Sequence, residues 1–389
     1  MRLRLVAAVV LGVVPMFGQP LEEAPLAARA LISRGDTART QQALARARRG
    51  EPVTIAVIGG SITQGALAST PARNYGSLLA DWWRTTFPQA EVTFRNDGIG
   101  ATGSLLAAHR CGPLVAAEPD LVVVEFAVND PNDESATESL EGLVRQLLDS
   151  PHQPAVVLLY TMNSLGGNVQ AHHARVGLRY GLPQISFRDA LWPEVQAGRI
   201  AWNDIEADEV HPNDRGHAYL AEFLTYYLES VRANLPADEA LPKIPPRRVL
   251  PTPVTSDVYQ FAQVLTADQI TPIASQGFRH EAAPFGPGWV ADDPGSYLEF
   301  EIEAERLAAL HYRIKGDTGI ARLTVDDRPP VTLNAWFDAT WGGYWVSEPI
   351  AADLGPGPHR IRLELTDELP GTSTAHRFHL GGLLVAGTR

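Results

Sequence analysis

Ser61 follows Gly59 and Gly60 at the end of the apolar run Val53–Ile58, and a hydroxyl presented on such a turn is a candidate nucleophile. Taken alone, a Gly-Gly-Ser turn after a strand is common and usually does no chemistry. Three other stretches carry groups of complementary type. Asn96-Asp-Gly-Ile-Gly-Ala-Thr102 is a glycine-rich loop with free backbone amides, and Glu125-Phe-Ala-Val-Asn-Asp130 offers a carboxamide. Asp208-Glu-Val-His-Pro-Asn213 sets a carboxylate three residues before an imidazole. A hydroxyl, a base, a carboxylate to orient the base and donors for an oxyanion are the parts of a serine hydrolase. They act together only if the fold brings them to one place.

The pattern around them supplies that place. Strand-like runs at Val53–Ile58, Val92–Phe94, Leu121–Phe126, Ala155–Tyr160 and Gln184–Phe187 alternate with helical stretches at Tyr75–Thr86, Ser104–Ala117, Ala136–Asp149 and Val169–Tyr180. A last helix, Asp214–Leu235, spaces Tyr219, Leu220, Phe223, Leu224, Tyr227 and Leu228 to bury one face. This alternation predicts an α/β domain, a doubly wound five-stranded parallel sheet of flavodoxin-like strand order with right-handed crossovers. Such sheets bind ligands at the carboxyl ends of their strands. Ser61 follows the first strand, the Asn96 loop the second, Asn129 the third, and the Asp208 loop comes after the fifth. All four stretches therefore fall on one sheet edge.

In this order the blocks resemble those of the SGNH (GDSL-type) serine hydrolases: Gly59-Gly-Ser-Ile-Thr63, the Asn96-x-Gly loop, Ala127-Val-Asn-Asp130 and Asp208-x-x-His-Pro212. The resemblance covers roughly residues 52–232 and leaves the rest of the chain unexplained. It implies that Ser61 is the nucleophile, His211 its general base and Asp208 the group that fixes the imidazole tautomer. It also implies an oxyanion hole made of the Ser61 amide, the Gly100 amide and the Asn129 side chain. Two departures stand out. The family's usual Gly-x-Asn-Asp block has Ala127 in place of glycine, and the oxyanion glycine is either Gly98 or Gly100, the following Ala-Thr favouring Gly100. Neither touches Ser61, Asp208 or His211.

Plainer roles compete for several of these residues. Asn129 is also a good turn or helix cap, and Asn213 a good cap for the last helix. His217 reads as structural rather than as a second base. His172 and His173, adjacent on a helix, point to different faces and lack ligand spacing, so no metal and no cofactor are expected. Gly98-Ile-Gly-Ala-Thr-Gly103 follows the second strand with the wrong spacing for a dinucleotide fingerprint.

Composition bounds the rest. The 389 residues carry a net charge of −13, which leaves no basic surplus for nucleic acid or an anionic membrane. Residues 1–19, a basic start and the short apolar run Leu5–Phe17, read as a signal peptide rather than an anchor, and no integral membrane segment is expected in the mature protein. The single cysteine, Cys111, excludes an internal disulfide and reads as core filler. Residues 20–50 are expected as a helical lead-in, 51–235 as the hydrolase domain and 236–256 as a stiff proline-rich linker. Beyond it, short strands punctuated by Gly and Pro predict a β-sandwich of jelly-roll type over 257–389. Its Trp289, Trp336, Phe337, Trp341, Tyr344 and Trp345 form either a sugar-stacking platform or simply its core.

The expected function is an exported serine esterase, secreted or periplasmic, that removes small acyl groups, acetyl first among them, from a carbohydrate. The sugar is implied by the resemblance to carbohydrate esterases with an appended sandwich. A lipase, phospholipase or thioesterase uses the same triad, and a non-catalytic carbohydrate-binding protein on an old hydrolase fold is the rival of a different class.

Overall fold

The apolar runs become the centre of a sheet whose strands are β1 (Leu31–Ser33), β2 (Val53–Gly59), β3 (Val92–Gly98), β4 (Leu121–Glu125), β5 (Ala155–Tyr160) and β6 (Gln184–Ser186) in a computed structural model of the chain. The structure describes residues 24–245, 249–282 and 287–387; the expected signal segment lies outside them. The order is β1-β6-β5-β4-β2-β3, with β2 to β6 parallel and β1 antiparallel on the edge. Among the parallel strands this is the flavodoxin order. Central strands β4 and β5 are buried along their whole length, as strands covered on both faces must be. Alternation splits their side chains: Leu121, Val123, Val157 and Leu159 enter one core, and Val122, Val124, Val156 and Leu158 the other.

The helices are α1 (Leu26–Ala30), α2 (Ala38–Arg48), α3 (Ser61–Gln64), α4 (Tyr75–Thr86), α5 (Ser104–His109), α6 (Gly112–Ala116), α7 (Glu134–Asp149), α8 (Gln170–Tyr180), α9 (Phe187–Gln196), α10 (Trp202–Ile205) and α11 (Asp214–Arg232). The expected helix over 104–117 is two, because Pro113 at the start of α6 has no N–H to continue α5. The lead-in is not wholly helical either. Leu31–Ser33 leaves α1 to pair with β6, which lengthens the sheet by one edge strand. Helix α11 is capped by Asn213, whose side chain accepts from the N–H groups of Arg215 and Gly216, and it buries Leu220, Phe223, Leu224, Tyr227 and Leu228 on one face.

The second half is an antiparallel sandwich. One sheet holds β7 (Gln263–Thr266), β9 (Arg279–Glu281), β10 (Gly288–Ala291), β12 (Arg306–Arg313), β15 (Tyr344–Ala351) and β17 (Phe378–Ala386). The other holds β8 (Ala274–Gln276), β11 (Tyr297–Glu303), β13 (Ile320–Val325), β14 (Val331–Asn334) and β16 (Pro358–Leu365). Trp289, Phe300, Leu323, Leu363, Phe378 and Leu383 fill the space between them. The proline-rich stretch does not hang free. The Glu141 carboxylate on α7 accepts from the N–H groups of Val254 and Thr255 at 2.6 and 2.9 Å, and Arg145 donates to the Pro251 carbonyl at 3.0 Å. Among the described residues no helix is long and apolar enough to cross a membrane.

Candidate active site

Strand β2 delivers Ser61 to the first position of α3, directly after Gly60. A Cβ on Gly60 would lie 2.4 Å from Asn129 Oδ1, so only glycine lets the two loops meet there. Ser61 Oγ lies 2.8 Å from His211 Nε2, and His211 Nδ1 lies 2.7 Å from Asp208 Oδ2. The other Asp208 oxygen accepts from the N–H groups of Val210 and His211, both at 2.7 Å. Burial pushes the Asp208 carboxyl up, but the His211 ring and these two N–H groups outweigh it and hold the carboxyl below its ordinary value. It is the anion that an imidazole gaining a proton requires.

The loop that carries Asp208 and His211 is itself held in shape. Ala207 N–H donates to the His211 carbonyl at 2.8 Å, and Glu206 bridges Pro212, so Asp208 and His211 sit on one closed turn. The Trp202 indole donates to the Asp208 carbonyl at 2.7 Å, and Ser164 N–H to the Glu209 carbonyl at 2.8 Å. Glu206 is buried, and among the described residues neither of its carboxyl oxygens has a hydrogen-bond partner. Burial, and then the charge of Asp208, pushes its carboxyl up to about 9, so it is a neutral acid at neutral pH.

The oxyanion candidates separate on their hydrogen bonds. Gly98 N–H is taken by Asn96 Oδ1 at 2.8 Å. A Cβ on Gly98 would also strike Gln64 N at 2.2 Å, so its backbone is packed against α3. Among the described residues the N–H groups of Gly100 and Ser61 have no acceptor, and the Asn129 carboxamide has no partner at either end, its Oδ1 being buried. A Cβ built on Gly100 falls 3.8 Å from Ser61 Cβ. Asn129 therefore stands on one side of Ser61 and Gly100 on another, each with a donor unspent.

Beneath these loops lie residues to which the sequence reading gave no role. Asp130 accepts from Ser104 N–H at 2.7 Å, Ser104 Oγ at 2.6 Å and His173 Nε2 at 2.9 Å, all buried. Its signal was in view, since it directly follows Asn129 in the same block. Under the Ser61 turn, Glu125 accepts from Thr161 Oγ1 at 2.6 Å and Thr63 Oγ1 at 3.3 Å, while Thr63 also bonds the Tyr75 hydroxyl at 2.8 Å. Burial pushes the Glu125 carboxyl up to about 7 against those hydrogen bonds.

Other candidates resolve simply. His217 is buried, stacks on Tyr75 and accepts from the Tyr75 N–H at 3.4 Å; burial pushes it down to about 4, so it is a neutral, structural ring. His172 bonds Thr137 and His173 bonds Asp130, on separate faces of α8. Among the described residues no group of three or more His, Cys, Asp or Glu is placed to hold a metal ion. Cys111 is free and fully buried. The aromatic set divides. Trp289 packs in the sandwich core against Phe300, and Trp345 sits edge-on to Tyr312 and His379. Phe337, Trp341 and Tyr344 instead touch one another at the surface, with Trp341 63% exposed.

Residues 57–219 match the GDSL-like Lipase/Acylhydrolase family. A solved two-domain esterase (CEX) active on acetylated mannans is similar over 93% of this chain and 99% of its own, with 31% identity and a TM-score of 0.85. A second structure of a two-domain esterase (CEX) active on acetylated mannans, co-crystallised with mannopentaose, matches with the same identity and TM-score over 98% of its chain. No curated protein matches. With the fold, the loops and a two-domain relative in agreement, the chain is a carboxylic ester hydrolase of the SGNH, GDSL-like lipase/acylhydrolase family, built like a two-domain carbohydrate esterase.

Proposed function

We propose that the chain is an exported deacetylase of an acetylated polysaccharide, with acetylated mannan the first substrate to try, working through Ser61, His211 and Asp208. The observation that carries the mechanism is the continuous line Ser61 Oγ–His211 Nε2 at 2.8 Å and His211 Nδ1–Asp208 Oδ2 at 2.7 Å. Ser61 Oγ attacks the acetyl carbonyl carbon while its proton passes to His211 Nε2. Asp208 holds the imidazolium that results. The negative charge on the carbonyl oxygen is met by the unspent donors of Ser61, Gly100 and Asn129. Collapse breaks the bond to the sugar oxygen, which leaves with the proton from His211. Water, deprotonated by the same ring, then attacks the acetyl-serine and releases acetate.

The carbohydrate rests on two supports. One is the relative that acts on acetylated mannans and matches both halves of this chain. The other is the surface trio Phe337, Trp341 and Tyr344, faces on which a pyranose ring can stack. Arg306 and His109 line one cavity between the two halves, and Leu310 packs against the cluster of Leu106, Ala308 and Leu384.

Acetate release from acetylated glucomannan and p-nitrophenyl acetate, by wild type and Ser61→Ala, tests the proposal. Loss of at least 10³-fold on both substrates is the expected result. Equal rates for the two proteins remove Ser61 as nucleophile. Release of long-chain acids from lipid esters in place of acetate makes the enzyme a lipase.

A further inference from the structure

Helix α5 has six residues, too few to hold its own place in water. It begins four residues after Gly100, so its position governs where that amide points. Three surfaces fix it. Its first residue, Ser104, is tied to Asp130 and hence to the Asn129 turn. Ala107 and Ala108 pack with Leu143 and Leu147 of α7, and Gln146 donates to the Ala108 carbonyl at 2.7 Å. The third surface belongs to the sandwich. Buried Leu106 packs on Ala308 and Leu384, with Leu105, Val264 and Leu310 around them.

The strands that supply this surface are patterned for it. In β17, Leu383 and Val385 enter the sandwich core, while Leu384 and Ala386 point the other way and are just as buried. In β12, Leu307 and Ala309 point inward, and Ala308 and Leu310 point toward α5. An antiparallel sheet with one free face turns polar residues to the water. Here the outward row is apolar and covered by the other domain.

We propose that the sandwich braces the oxyanion helix. By holding Leu105 and Leu106 it positions the Gly100 amide, and so it supports turnover of every ester, including those too small to reach a sugar platform. Leu384 is then a positioning residue that touches no substrate. The inference rests on the reading of Gly100 and Asn129 as oxyanion donors.

Three variants of the full chain test it on p-nitrophenyl acetate, with kcat, KM and melting temperature measured for each. Leu384→Ala removes the contact with Leu106. Leu323→Ala opens a hole of the same kind in the sandwich core, away from α5. Asn129→Ala removes an oxyanion donor. The expected result is that Leu384→Ala lowers kcat at least tenfold with KM within twofold, because small misplacements of catalytic groups cost up to about 10²-fold. Leu323→Ala lowers the melting temperature as much yet keeps kcat within twofold, and Asn129→Ala loses roughly 10²–10³ in kcat. Should Leu384→Ala fail to fold, Leu310→Ala, at the half-buried rim of the same contact, is to show the same split. Unchanged kcat in Leu384→Ala, or an equal loss in Leu323→Ala, overturns the brace while leaving the oxyanion reading intact. Full kcat in Asn129→Ala overturns the oxyanion reading itself.

Discussion

Oδ2 of Asp130 lies 2.9 Å from Nε2 of His173, with both side chains buried. The same carboxylate takes the N–H and hydroxyl of Ser104, so one anion joins the Asn129 turn, the head of α5 and helix α8. Facing the carboxylate, Nε2 is the ring nitrogen that donates to it. Both proposed oxyanion loops are thereby fastened to one point below the site.

Asp130→Asn keeps the shape and replaces an acceptor with a donor that faces other donors. A buried group left facing the wrong partner costs about 1–3 kcal/mol. The expected outcome is a folded enzyme with a lower melting temperature and kcat down about tenfold on p-nitrophenyl acetate, since the two donor loops lose a shared anchor. His173→Asn keeps the Ser104 bonds and is expected to lose less in kcat. A His173 variant that loses more than Asp130→Asn contradicts the assignment of Asp130 as the hub.

Gly60→Ala tests the approach of Asn129 to the Ser61 turn. The new methyl carbon falls 2.4 Å from Asn129 Oδ1 and 3.0 Å from its Nδ2, so the carboxamide has to move. The variant is expected to bind small esters with little change in KM and to lose about 10²-fold in kcat, the value of one oxyanion donor. A crystal structure showing Asn129 unmoved, together with a kcat near wild type, sinks the idea.

Much of this was legible in the sequence, and for a physical reason. Up to their last residues, Glu125 and Tyr160, Leu121–Glu125 and Ala155–Tyr160 are apolar without alternation, which only a strand buried on both faces requires, and the loops that follow them inherit their place from the sheet. The edge strand Leu31–Ser33 was not legible, because its pairing with Ile185 and Gln184 is tertiary and its neighbours are good helix formers. Asp130 was marked only by its place after Asn129, and Glu206 carried no local signal of its role. A carboxylate's burial is set by what folds over it, and Glu206 reads as a surface residue beside Asp208 until Pro212 closes the turn. In β17 the run Leu383-Leu-Val-Ala386 read only as one more sandwich strand, because the docking of Leu384 on α5 is a tertiary contact.

Trp341 distinguishes the proposed sugar platform from the sandwich core. It is exposed and supported by Phe337 and Tyr344, so truncation removes a stacking face without opening a core cavity. Trp341→Ala is expected to raise KM for acetylated glucomannan about tenfold, as loss of a 1–1.5 kcal/mol aromatic contact does. Kinetics on p-nitrophenyl acetate are expected to stay within twofold of wild type. Equal polymer kinetics in the two proteins assign the trio to something other than substrate.

Glu206 makes stability depend on pH in a predictable direction. Its carboxyl stands at about 9 in the folded chain against an ordinary 4.5, because it is buried and then because Asp208 is charged beside it. Between those two values the folded state holds a proton that the unfolded chain has released, so folding stability falls as pH rises through that window. The limiting slope for one group is about 1.4 kcal/mol per pH unit, and relaxation of the turn makes the realised loss smaller. Glu206→Gln mimics the neutral acid and cannot ionise. Melting curves of wild type and variant are expected to coincide near pH 5 and to part as pH rises, with the variant more stable at pH 8 by about 3 °C or more. Asp208 and His211 keep their mutual bond in the variant, so turnover at pH 7 is expected to survive. Parallel melting curves from pH 5 to 9 mean that Glu206 is ionised and partnered in the folded protein, and that the turn below His211 is built differently.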